Sequence, residues 1–232
     1  MDVLATRVLS YPDENGDKRE LVLTVFVPFE AAEWRCRFVF DPPVIRKGVD
    51  GAGVDFLQAF VECVKIARIY LESTALFGRA HWQGMLDCGL PWHAERPASW
   101  APPAIPPPDS NAGTMDVLTT RVVGYPDESG AERELLLTVF VPFEAEDKTW
   151  KCGFTFGPPL NAPLRYGVGA DFIEAFLDCV AMARATFEGT APKGWIRSGG
   201  LYDLCDLPYK IGRSFWTDPG GEIPGMPDFS AG

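Results

Sequence analysis

Leu23-Thr-Val-Phe-Val-Pro-Phe-Glu30 recurs without a change as Leu137-Thr-Val-Phe-Val-Pro-Phe-Glu144, and this repetition decides the fold. The match reaches back to the first residue. Met1-Asp-Val-Leu-Ala-Thr-Arg-Val8 answers Met115-Asp-Val-Leu-Thr-Thr-Arg-Val122, and Tyr11-Pro-Asp-Glu14 answers Tyr125-Pro-Asp-Glu128. Of the first 31 residues, 24 are identical to those 114 positions later. A period that long excludes a solenoid and fits one small domain written twice. The expected boundaries are a first unit over 1–93, a Pro-rich linker over 94–114, a second unit over 115–210 and a C-terminal tail over 211–232.

Within the unit, Glu20-Leu-Val-Leu-Thr-Val-Phe-Val27 is apolar on both faces. Such a strand is expected to be central and covered twice. One cover is a helix; the other is the second copy, a symmetry mate or a partner. The run from Val3 to Ser10 is strand-like, and Tyr11-Pro-Asp-Glu-Asn-Gly16 supplies turn chemistry, so the two runs read as a hairpin. Trp34, Cys36, Phe38 and Phe40 alternate with Arg35, Arg37 and Val39, the period of a half-buried strand, which Pro42-Pro43 ends. Copy two repeats this strand as Trp150, Cys152, Phe154 and Phe156, ended by Pro158-Pro159.

A variable loop follows, then a helix. Asp55-Phe-Leu-Gln58 and Asp171-Phe-Ile-Glu174 fit a capping box with Asp at the cap, and Gly53 and Gly169 allow a tight start. Phe56, Phe60, Cys63, Ala67 and Tyr70 draw one apolar face. Gln58, Glu62, Lys65, Arg68 and Glu72 draw a solvated stripe, matched by Glu174, Asp178, Ala181, Arg184 and Glu188. Short extended segments, Met85 to Pro91 and Leu201 to Pro208, close the units. The fold class is therefore α+β: two tandem copies of an antiparallel β-β-β-α(-β) unit, one helix packed on each sheet, with the repeats packed on each other in a pseudo-twofold arrangement. The linker prolines favour a polyproline spacer of up to about 60 Å. Trp100 and Ile105 suit a linker lying along a domain surface, and Phe215, Trp216, Ile223, Met226 and Phe229 suit a docked tail.

Composition narrows the function. A chain of 232 residues, 47% hydrophobic, can bury a core. The net charge of −11 disfavours nucleic acid and favours a basic protein as partner. The N-terminus is no signal peptide, and no apolar run nears the ~20 residues that span a bilayer, so a cytoplasmic protein without membrane contact is expected. The six cysteines pair off between the copies as Cys36/Cys152, Cys63/Cys179 and Cys88/Cys205. Three per unit leaves one over in any self-contained disulfide framework, and no Cys-x-x-Cys occurs, so buried reduced thiols are expected.

Catalytic chemistry finds little support. His81 and His93 stand against Arg197 and Lys210, so neither is a property of the domain. The Cys88–His93 spacing is metal-like, but no second pair completes four ligands. No catalytic residue, metal or cofactor is assigned. Asp13-Glu14 and Asp127-Glu128 read as turn formers, and Arg7/Arg121, Arg19/Arg133 and Arg68/Arg184 as ion-pair or packing residues. The copies diverge most after the helix. Phe77, Arg79, His81, Trp82 and Trp92 in the first unit, and Trp195, Arg197, Tyr202 and Tyr209 in the second, form two unlike candidate binding rims.

At Gly53-Val-Asp-Phe-Leu-Gln-Ala-Phe60 and Gly89-Leu-Pro91 the chain resembles a family of small bacterial β-β-β-α domains of unknown function. The resemblance covers 1–93 and again 115–210, where Gly169-Ala-Asp171 and Asp206-Leu-Pro208 depart from the pattern. It implies an immunity or accessory protein of a bacterial toxin system and brings no catalytic residues. The function expected is a non-enzymatic module that neutralises a cognate, basic toxin domain by occluding its surface. The alternative is a sensor binding a small molecule or peptide between the two repeats. An enzyme working through the Asp13/Glu14-type pairs stands third.

Overall fold

The structure, a computed structural model, describes residues 1–42, 44, 47–74, 76, 79–83, 88–91, 115–126, 129 and 131–190. The linker, the tail and the segment Leu201 to Pro208 lie outside the described residues.

Each unit is an antiparallel sheet carrying one helix. Strands β1 (Val3–Pro12) and β2 (Lys18–Phe26) form the expected hairpin. Asp13 builds its turn: one carboxylate oxygen accepts from the amides of Asn15 and Asp17, the other from Arg19. Arg19 beside it holds the Asp13 carboxyl below the usual carboxylate range. Pro28 interrupts the second strand, and β3 (Phe29–Glu30) resumes it along the same edge of β4 (Trp34–Phe40). Pro has no N–H for the ladder, so a break there is unavoidable. Copy two has β6 (Val117–Pro126), β7 (Glu132–Phe140), β8 (Phe143–Glu144) and β9 (Trp150–Phe156) in the same registers.

The loop expected before the helix is a strand. β5 (Val49–Gly53) pairs with β4 on the edge opposite β2, and β10 (Arg165–Gly169) pairs with β9. Its glycines receive helices α1 (Phe56–Glu72) and α2 (Phe172–Thr190) in near backbone contact. A Cβ on Gly51 would lie 2.6 Å from the Cα of Cys63, and one on Gly167 2.7 Å from the carbonyl oxygen of Ala175. Gly53 and Gly169 meet the helix in the same way, so they are strand residues under it and do not form a turn.

The caps form as expected in outline. Asp55 accepts from the amide of Gln58 at 2.8 Å and Asp171 from that of Glu174 at 2.7 Å. Reciprocally, the side-chain oxygens of Gln58 and Glu174 accept from the amides of Val54 and Ala170, one residue before the cap. Phe56, Phe60, Cys63 and Ala67 are buried, while Tyr70 is half out.

The solvated stripe is only partly solvated. Arg68 and Arg184 are buried, as are Leu57, Val61 and Val64. Arg68 runs beneath the Cys88–Pro91 segment, donating to the Leu90 carbonyl and to Glu72. Each helix is covered on a second face because the repeats share one continuous core. Phe60 and its counterpart Phe176 meet edge to face at 4.6 Å, which places the pseudo-twofold relation between them.

Two further expectations are corrected. Cys88–Pro91 forms no strand, and the edge of β1 is instead bridged by His81, whose backbone exchanges two hydrogen bonds with Ser10. Among the described residues the second repeat does not cover the other face of the central strands: Val22 and Phe26 are half-buried, and Leu136 is 44% exposed. No helix among the described residues is long and apolar enough to cross a membrane.

Candidate functional site

The seam between the repeats is built from residues the two copies share. Arg7, on the inner face of β1, is 1% exposed. Its Nε and Nη2 donate to both carboxylate oxygens of Asp171 at 2.8 Å each, the bidentate fork of guanidinium on carboxylate. Nη1 donates to the Gly89 carbonyl at 2.6 Å, and the guanidinium carbon lies 3.9 Å from the centre of the Trp82 ring. The reciprocal pair is Arg121 with Asp55 at 3.2 Å. Each Asp therefore caps its own helix while neutralising the buried arginine of the other repeat.

This arrangement relocates several residues of the expected rim. Trp82 is 3% exposed and stacks under Arg7, so it is a core residue. Gly89 has φ of +67°, and a Cβ there would strike the Trp82 ring. That close approach accounts for the Gly of Gly89-Leu-Pro91. Arg79 is half-buried and clamps the β1–β2 turn through the carbonyls of Pro12 and Asp13. His81 is half-buried, tied to Ser10 by its backbone. Phe77, Trp92, Trp195, Arg197, Tyr202 and Tyr209 lie outside the described residues. Among the described residues no group of three or more His, Cys, Asp or Glu could hold a metal ion.

The outer faces of the two sheets show where the copies differ in chemistry. In the first, Arg37 lies across Gly48 and forks onto Asp50 at 2.6 and 2.9 Å. Arg37 holds the Asp50 carboxyl below the usual range. In the second, the matching positions are Gly153, Leu164 and Tyr166. The bulk moves from the strand centre to its neighbours: Met115, Leu164 and Phe140 close around Gly153. Tyr166 donates to the Met115 sulfur and meets Phe143 edge to face at 6.2 Å. Phe143, Val141, Val168 and Leu136 are each more than a third exposed. The acidic residues Asp116, Glu144, Glu146 and Asp147 are exposed on the same unit. An ion-paired face in one repeat is thus an open aromatic face with acidic surroundings in the other. Loop divergence alone does not reveal it, but the joint change Arg37/Gly48/Asp50 to Gly153/Leu164/Tyr166 is visible once the copies are aligned.

Arg165 stands where the first repeat has Val49. Its Nε and Nη1 are buried without a hydrogen-bond partner, and burial pulls its pKa down. Two buried guanidinium N–H groups without a partner, on a half-buried side chain, oppose folding. Arg165→Met, which keeps the apolar stem, is expected to raise stability by about 1 kcal/mol in urea unfolding. A loss of similar size would show that the guanidinium is satisfied in solution.

No protein-family model, no curated protein and no solved structure matches the chain, so fold and site stand on the geometry alone.

Proposed function

We propose that this protein is a non-enzymatic binding module, an immunity-type protein that occludes a basic toxin domain with the outer face of its second sheet. The observation that carries the reading is the apolar cluster of exposed Phe143 with half-buried Tyr166, Leu164 and Met115, which replaces an ion pair of the first repeat. An exposed Phe packed on a half-buried Tyr, with charged residues nearby, has the composition of an interface hot spot. The net charge of −11 supports a basic partner through steered encounter. Against the sensor alternative, the seam is filled by Phe60 on Phe176, by the Arg7–Asp171 fork and by the Arg121–Asp55 ion pair.

The test is co-expression with any toxic reading frame found encoded beside it. Cells carrying the wild type are expected to survive the toxin. A Phe143→Ala, Tyr166→Ala variant should lose protection and at least about tenfold in affinity for the purified partner. Arg37→Ala, on the other sheet, should bind within about twofold. Survival no better than with empty vector rejects the toxin pairing. Equal loss from Arg37→Ala rejects the assignment of the face.

A further inference from the structure

In each repeat a strand cysteine and a helix cysteine are brought side by side. Cys36 on β4 faces Gly51 across the ladder, and Cys152 on β9 faces Gly167. The helix rests on those glycines at Cys63 and Cys179, and a Cβ on Gly51 would lie 2.6 Å from the Cys63 Cα. That contact holds the Gly51 and Cys63 Cα atoms about 4 Å apart, normal to the sheet. The ladder partner Cys36 lies about 5 Å away within it. The two cysteine Cα atoms are therefore about 6–7 Å apart, within reach of a disulfide. The thiols of Cys36 and Cys152 donate to the carbonyls of Phe26 and Phe140, and each strand cysteine is close enough to its helix cysteine to help burial raise that thiol's pKa. All four are buried and reduced.

We infer that Cys36–Cys63 and Cys152–Cys179 are two equivalent redox sites that close as disulfides, each stapling the helix to the sheet of its own repeat. The pairing also resolves the odd count of three per unit, leaving Cys88 outside it in the first. A disulfide oxidant such as oxidised glutathione completes the chemistry. One cysteine thiolate attacks a glutathione sulfur and expels a glutathione thiolate. The second cysteine, deprotonated, then attacks the cysteine sulfur of the mixed disulfide and expels the other glutathione. Two cysteine thiols are oxidised, one glutathione disulfide becomes two thiols, and the two cysteine protons end on the leaving sulfurs. Burial pushes the Cys63 and Cys179 thiols well above their usual range. The closed fold therefore protects them, and the reaction runs through opening of the helix from β5 or β10.

The experiment incubates the full chain in oxidised glutathione, blocks remaining thiols under denaturing conditions and maps the peptides. Cys36 is expected to be joined to Cys63 and Cys152 to Cys179, with the thermal midpoint raised by about 5–10 °C. A Cys63→Ala variant should lose only the first bond, the second repeat serving as internal control. Six blockable thiols, stable glutathione adducts, or a bond involving Cys88 or Cys205 would overturn the inference.

Discussion

Arg7→Met is expected to destabilise the protein by about 3–5 kcal/mol, and to do so by separating the repeats. The side chain is buried, and it satisfies Asp171, the Gly89 carbonyl and the Trp82 ring at once. Methionine keeps most of the volume, so the loss is electrostatic. Asp171, 17% exposed in its side chain, is left beside an apolar neighbour with its charge uncompensated. Removing one member of a buried ion pair costs far more than the pair is worth. Asp171→Asn should cost nearly as much. Asparagine still caps α2, but Arg7 loses its counter-charge.

The pair distinguishes this account from simple loss of packing. If Arg7 and Asp171 act through each other, the double variant should fall short of the sum of the singles by about 1.5–3 kcal/mol. Urea unfolding followed by tryptophan fluorescence and by far-ultraviolet circular dichroism should give coincident curves for the wild type. In Arg7→Met the two signals should part, because the seam is what couples two otherwise complete units. A cost below about 1 kcal/mol with coincident curves would show that the shared core, with Phe60 on Phe176, holds the repeats without the fork.

Local patterns account for what was legible in the sequence. The β1–β2 hairpin, the alternation of Trp34 to Phe40 and the cap at Asp55 each depend on residues close in the chain. The seam does not: Arg7 and Asp171 are 164 positions apart, and each has a sufficient local reading as packing residue or cap. Arg68 and Arg184 misread for the same reason. A charged residue on the polar side of a helix looks solvated unless the segment crossing above it is known. β5 was hidden by its own composition, since Val-Asp-Gly-Ala-Gly has the low strand propensity of a loop. Only helix contact explains why glycine is needed there. Trp82 failed as a rim residue because divergence between copies marks where the chemistry differs, and that difference can lie inside a repeat as well as on it. The outer face of the second sheet was hidden differently, because a period-2 strand reading assigns inside and outside without saying what an open outside is for.

Gly167→Ala carries the second large expected effect, because the obstacle is backbone. An added methyl would overlap the backbone nitrogen and Cα of Cys179, in direct conflict with the main chain of α2. A flexible side chain can turn away from such a contact, whereas a helix must move as a whole. Moving α2 off β10 loosens Phe172 and Phe176, and with them the seam against Phe60. Overpacking of this kind costs about 3 kcal/mol or more, above the gain of under 1 kcal/mol that alanine brings by restricting the unfolded chain. Gly157→Ala is the matched control. Its nearest neighbour would be 3.7 Å away and its backbone is unstrained, so it should fall within about 0.5 kcal/mol of wild type. Equal midpoints for the two variants in urea would mean that the helix does not rest on the glycine strand, and the thiol pairing built on that contact would fall with it.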